Sequence, residues 1–243
     1  MSGQTLKSRS EIDLARADLV RRGLSIAKEN SGWSQLMNRL GLIKTVKVGD
    51  LLKSWDVLKT TTFIEEHVSK ELPILDLGAY ASEILCILHR LGYSALTGVD
   101  LNADVRLMPY AGVIQYQVAN FMETPFTDES FAAITAISVI EHGFKSQALL
   151  KEVSRLLRPG GYFIASFDYW PEKVDTSGIQ FFGLDWRIFS EQEVLDFVRE
   201  AGQFNLAPEG SLDLSADEKP IACAKRNYTF AWVVLKKGDA VLR

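Results

Sequence analysis

Asp76 and Asp100 each close a short apolar run, Pro73-Ile74-Leu75-Asp76-Leu77-Gly78 and Ala95-Leu96-Thr97-Gly98-Val99-Asp100. An acid that follows a glycine turn at roughly a 20-residue spacing is placed to take a ribose diol, because a carboxylate offers two acceptor oxygens to two vicinal hydroxyls. Asp100 is also a residue type favoured as a helix N-cap, and the two roles are compatible. Gly78, between a strand and a helix, leaves room for a ligand to reach backbone N–H groups. Phosphates fit this turn poorly. A dinucleotide fingerprint asks for glycine where Tyr80 and Glu83 stand, and a ring and a carboxylate there would obstruct and repel a pyrophosphate. No G-x-x-x-x-G-K-[ST] segment occurs either. The expected ligand is a nucleoside without phosphates.

Downstream, Glu141 and His142 follow the apolar stretch Ile137-Ser138-Val139-Ile140. With an ordinary pKa of about 6.5, His142 is suited to act as a general base, or to be a hydrogen-bonded support with no proton to move. Asp168, at the end of a further apolar run, is a second candidate base. Tyr169 and Trp186 flank it in aromatic segments that either stack on a flat or sugar-like acceptor or anchor a loop to the core.

Positioning these residues requires a parallel sheet. Strands are predicted near residues 73–77, 95–99, 113–117, 131–137 and 161–167, with helices near 81–92, 102–108 and 145–157 between them. That alternation is the signature of an α/β, doubly wound sheet covered on both faces. Ser190 with Glu193 makes a capping box for a helix ending near Ala201, and residues 204–208 and 227–236 read as a closing antiparallel pair. Residues 209–225 read as an exposed loop. Upstream, helices are predicted at 11–28 (from a Ser10/Asp13 capping box), at 33–40 before Gly41, and from an Asp50 N-cap onward. The economical division is an N-terminal helical extension over 1–68 and an α/β domain over 69–243. Amphipathicity alone does not distinguish a lid from simple packing on the sheet.

Taken together, these motifs resemble the class I S-adenosylmethionine-dependent methyltransferases, of the type 11 kind, over roughly residues 52–237. Asp76-Leu77-Gly78 is similar to the family's glycine motif, Asp100 to its ribose-binding acid and Asn120-Phe121 to its adenine pair. Ile137 to His142 is similar to the end of the fourth strand, and Leu156-Leu157-Arg158-Pro159-Gly160-Gly161 to the turn before the fifth. The resemblance implies a Rossmann-like domain that binds S-adenosyl-L-methionine (SAM) through Asp76, Gly78, Tyr80, Asp100, Leu101, Asn120 and Phe121. One departure is Tyr80, where the family carries a second glycine. Its ring either points outward, reaches the cofactor carboxylate with its hydroxyl, or blocks the site. Some metal-assisted O-methyltransferases carry E-x-x-E-H here. Ser138 replaces the first acid, so no metal is expected.

Composition narrows the function further. With 47% hydrophobic and 24% charged residues the chain can bury a substantial core. A net charge of −4 argues against general nucleic-acid binding. Cys86 and Cys223 form no metal or disulfide pattern, and no stretch approaches the roughly 20 apolar residues of a membrane span. A cytoplasmic enzyme that methylates a small-molecule or carbohydrate-like acceptor, more readily at oxygen, is the expectation. The rivals are a catalytically silent SAM-binding scaffold and an NAD-dependent oxidoreductase.

Overall fold

The structure, a computed structural model, describes residues 3–27, 46–143 and 145–239. The chain opens with β1 (Gly3–Thr5) and α1 (Arg9–Arg21), then passes through a 3-10 turn at Leu51–Lys53 into α2 (Ser54–His67). From there strand and helix alternate: β2 (Ile74–Leu77), α3 (Ile84–Arg90), β3 (Leu96–Asp100), β4 (Gln115–Val118), β5 (Phe131–Ile137), α4 (Ser146–Leu156) and β6 (Leu157–Tyr169). A small hairpin of β7 (Gln180–Phe181) and β8 (Leu184–Asp185) precedes α5 (Glu191–Gly202), β9 (Leu206–Pro208), β10 (Ile221–Cys223) and β11 (Arg226–Lys237).

The strands order as β1-β11-β6-β5-β2-β3-β4, with β9 and β10 also on β11. Pairing is parallel from β6 to β4, and β11 runs antiparallel to β6. The chain builds outward from β2 through β3 to β4, then returns to lay β5 on the other side of β2. The switch point thus lies between β2 and β5, where the carboxyl edge of an open α/β sheet leaves a crevice. Side chains alternate faces with period two. Ile74, Ala133, Ile164 and Val234 pack in one core with α1, α2 and α3, whereas Leu75, Ile134, Ala165 and Val233 pack in the other with α4 and α5.

The sequence-based expectations meet this architecture with a few differences. The helix at 102–108 is a 3-10 segment, Ala103–Leu107, whose cap is the Asn102 side chain accepting from Asp104 N–H. At the N-terminus Ser10 and Asp13 do not form a capping box. Ser8 occupies the N-cap position, and the Glu11 carboxylate accepts from Lys7 N–H, one residue further back. The first helix stops at Arg21, and the helix expected at 33–40 lies outside the described residues. The N-terminal segment is not wholly helical, since Gly3–Thr5 joins the central sheet. Within the expected loop 209–225, Ile221–Cys223 forms a strand on β11. The Ser190/Glu193 capping box is present.

Candidate active site

Residues on the β2–α3 turn and at the end of β3 meet through the backbone. Gly78 and Ala79 N–H both donate to Val99 C=O, at 2.9 and 3.0 Å, and Tyr80 N–H donates to Asp100 Oδ2 at 3.0 Å. Asp100 Oδ1 accepts from Asn102 N–H at 2.7 Å. Each carboxylate oxygen has two lone pairs, so the side chain retains acceptor capacity toward a diol. Gly78 is required for two reasons. Its φ is +73°, and a Cβ there would lie 2.4 Å from Val139 Cγ2 across the switch point. Tyr80, at the position of the absent second glycine, has no left-handed backbone; the neighbouring Ala81 carries it, at φ +62°. Conformation alone therefore does not demand glycine at position 80.

A cavity of about 540 Å³ opens on this turn, walled by Gly78, Tyr80, Asp100, Leu101 and Phe121 on one side and by Lys53, Val139 and His142 on another. Its size falls within the range usual for small-molecule sites. Asn120 does not line it, and its Oδ1 accepts from Met122 N–H. Asp76 lies beneath the turn. Its Oδ1 accepts from Thr135 Oγ1 at 2.6 Å, Oδ2 is buried without a partner, and burial pushes its carboxyl up to about 7 despite the Thr135 and Ser82 hydroxyls. Glu83 does not present a free charge to the cavity. Its two oxygens accept from Arg16 of α1 at 2.8 and 3.1 Å, so the repulsion expected from the sequence is largely cancelled.

The far side of the cavity rests on a buried ionic group. Lys53 Nζ lies 3.5 Å from Asp168 Oδ1 and 3.5 Å from the centroid of Phe230. Burial works to lower the Lys53 pKa, but Asp168, Asp56 and Glu141 outweigh it and hold the ammonium above its ordinary value. Asp56 accepts from Ser166 Oγ at 2.8 Å, and burial raises it to about 6 against the pull of Lys53. Burial, reinforced by Asp168, holds the Glu141 carboxyl well above its ordinary value, with Lys53 opposing. His142 moves the other way. Burial lowers its pKa, with Asp168 opposing and Lys53 assisting, which favours the neutral imidazole. Its Nδ1 is buried without a partner and its ring sits edge-on to Phe181 and Phe182.

The structure thus brings Gly78, Tyr80, Asp100, Leu101, Phe121 and His142 to one cavity and leaves Asp76, Asn120 and Asp168 off its wall. Asp168 stands behind Lys53 and accepts from Trp186 Nε1 at 2.7 Å. Tyr169 and Trp186 are committed to the interior, Tyr169 with its hydroxyl on Leu214 C=O. Sequence reasoning missed Lys53, Ser138, Phe182 and Leu184. Ser138 is strained, with φ +56° and a buried, unpartnered Oγ. Phe182-Gly183 is not a dipeptide that marks a two-residue hairpin, so the sequence carried no signal for the turn between Phe181 and Leu184.

Residues 75–165 match the family described as "Methyltransferase domain". Among curated relatives, "Sterol methyltransferase-like 3" from Botryococcus braunii is 30% identical over 108 residues, covering 40% of this chain and 27% of that protein. "O-methyltransferase resE" from Aspergillus sclerotiorum is 42% identical over 50 residues, covering 21% and 19%. The chain therefore spans about a quarter or less of the length of these relatives. A solved structure of geranyl diphosphate C-methyltransferase from Streptomyces coelicolor A3(2) superposes with a TM-score of 0.56 at 17% identity, covering 92% of this chain and 98% of that one, which is a likeness of fold. Residues 75–165 thus match a methyltransferase domain, and the glycine turn and strand-end acid that meet at the switch point lie in a fold like that of the solved methyltransferase.

Proposed function

We propose that the protein transfers a methyl group from SAM to a small-molecule acceptor, at oxygen in the first instance. The observation that carries the reading is the junction of the Gly78 turn with the Asp100 carboxylate on the wall of a cavity that also holds His142. The residues fit a nucleoside donor. The turn lacks space for a Cβ at Gly78, Asp100 keeps unused acceptor capacity, and Asp76 Oδ2 is buried without a partner beneath the turn. When bound, SAM supplies a methyl carbon already activated by its sulfonium, with a neutral leaving group.

The chain's own work is then alignment, exclusion of water and removal of a proton. Asp100 would hold the ribose hydroxyls, and Leu101 and Phe121 offer apolar contact to the base. Asp76 supports the turn from below. Neutral His142 would take the proton of an acceptor hydroxyl. Lys53 and Asp168 stand behind it and set its local field. Asp168 acts through Lys53 in this reading, without touching the acceptor.

Binding and turnover measurements test the proposal together. Calorimetry with SAM and with S-adenosylhomocysteine is expected to give one site per chain, and absence of binding to both would reject the assignment. NAD(H) is expected not to raise the melting temperature. Incubation with SAM and a metabolite extract, followed by mass spectrometry, is expected to reveal a product heavier by one methyl. In His142→Ala, turnover of that product should drop by roughly 10²–10⁴ with donor affinity preserved. The acid limb of the kcat/KM profile should lie below pH 6.5, because burial lowers the histidine's pKa. Unaltered turnover in the variant would remove His142 from the proton-transfer role.

A further inference from the structure

The β7–β8 hairpin has a feature that folding does not explain. Phe181 pairs with Leu184, so the turn between them has two residues, Phe182 at φ +57° and Gly183 at φ +76°. Turns of that shape favour asparagine, aspartate or glycine at both positions, and a bulky residue there costs conformational energy. Phe182 is nevertheless aromatic and 91% exposed. Its ring centroid lies 5.7 Å from that of His142, and both residues line the cavity. Leu184 and Leu101, also on the cavity wall, are 40% and 62% exposed. The hairpin is docked rather than loose. Arg187 N–H donates to Glu141 C=O, Gly143 N–H donates to Asp185 C=O, and a Cβ on Gly143 would lie 3.2 Å from Leu184 Cβ.

The charged groups on the same wall are already engaged. Asp50 accepts from Leu52 N–H, Lys53 pairs with Asp168, Glu83 pairs with Arg16, and Asp100 accepts two backbone N–H groups. Tyr169 and Trp186, the aromatics that would stack on a sugar, are turned into the core. Apart from the remaining acceptor capacity of Asp100, the wall's charged groups are engaged, and its unpartnered Ser138 Oγ and His142 Nδ1 are buried, whereas its rim presents apolar side chains to water.

We propose that the acceptor is an amphiphile, a nucleophilic head attached to a hydrocarbon body, and that the Phe182–Leu184 hairpin tip grips that body while the head lies by His142. The inference rests on the methyltransferase reading and names its substrate class. Phe182 is then a specificity-determining residue whose exposed, left-handed placement is explained by the ligand it contacts.

The test uses the full chain saturated with S-adenosylhomocysteine. N-phenyl-1-naphthylamine serves as a neutral fluorescent probe, displaced by 4-methyl-, 4-butyl- or 4-heptylphenol, with methyl glucoside as the polar comparator. Affinity is expected to tighten about two- to fourfold per added methylene, and methyl glucoside should not displace the probe. Phe182→Gly relieves the backbone at φ +57° while removing the ring. It is expected to melt no lower than wild type, to bind S-adenosylhomocysteine unchanged, and to lose roughly tenfold or more for 4-heptylphenol. Affinity independent of chain length, or full 4-heptylphenol affinity in Phe182→Gly, would overturn the proposal. Calorimetry on the same samples separates the two readings. Donor binding without a chain-length effect removes only the amphiphile, whereas a chain-length effect without donor binding removes the methyltransferase assignment and leaves an apolar site.

Discussion

At the residue scale the site divides into groups whose chemistry is written in their sequence position and groups that only packing reveals. Gly78 and Asp100 belong to the first kind, because a strand that ends in an acid or a glycine delivers it to the carboxyl edge wherever the sheet forms. Lys53 belongs to the second. Nothing near it in sequence says that its ammonium would lie between Asp168 and the Phe230 ring. Its burial makes it sensitive, since Lys53→Met leaves Asp168, Asp56 and Glu141 without their shared cation. Breaking a buried pair from one side costs about 3–5 kcal/mol, and denaturant unfolding should read that loss, with part of it recovered in Lys53→Met/Asp168→Asn. Asp76 leads to a prediction about pH. Its folded-state pKa is raised from 3.8 to about 7, so the folded chain binds the extra proton. The associated stability is fully present below pH 3.8 and is lost as pH rises through about 7. In Asp76→Asn that dependence disappears. Relative to the variant, wild type should lose stability between those limits with a slope of up to about 1.4 kcal/mol per pH unit, measured as unfolding free energy at a series of pH values.

At the element scale, the alternation of strands and helices from β2 to β6 was legible because each strand is an apolar run bounded by turn residues. The Ser190/Glu193 box fixed the start of α5 for the same local reason. What the sequence could not convey was how the N-terminal elements attach. Amphipathicity places α1 and α2 on some apolar surface without saying which one. The attachment is ionic and specific: Arg16 of α1 reaches the Ser54 and Ser25 hydroxyls, Asp50 C=O and both oxygens of Glu83. Gly49 N–H donates to Ala81 C=O at 2.8 Å, so the segment leading into α2 is tied to the glycine turn as well. Glu83→Ala should therefore destabilise the chain by about 3 kcal/mol or more, because it strands a largely buried guanidinium. The Arg16→Ala/Glu83→Ala double variant should be less damaging than the sum of its parts. A coupling energy near zero in that cycle would show that the two side chains do not fasten the helix to the turn.

At the scale of the whole molecule, the long strand β11 (Arg226–Lys237) poses a problem that three short strands solve together. One of its edges pairs with β6. Along the other, β10 covers Arg226 to Tyr228, β1 covers Ala231 to Val233 and β9 covers Leu235 to Lys237. Three separate short strands thus tile one edge, and Leu6 extends the middle tile by donating its N–H to Phe230 C=O and accepting from Thr229 Oγ1 through its own C=O. The opposite edge, β4, is protected differently, by being four residues long and largely polar. A closing hairpin of residues 204–208 with 227–236 accounts for one tile only. The middle tile escaped prediction because three residues carry no periodicity to read. Removing residues 1–8 uncovers Ala231-Trp232-Val233, an apolar stretch of unpaired N–H and C=O groups suited to pairing with another chain. The truncated protein should form concentration-dependent oligomers in light scattering while its monomeric fraction binds S-adenosylhomocysteine with wild-type affinity, since none of the described residues 3–8 lines the cavity. Charged substitution at the exposed strand, Val233→Lys in the truncated chain, would bury a lysine in the core and unfold it. The informative rescue is instead an added peptide of residues 1–8. Restoration of the monomer by that peptide would establish β1 as the piece that closes the edge, and a truncated chain that stays monomeric without it would show that β9 and β10 suffice.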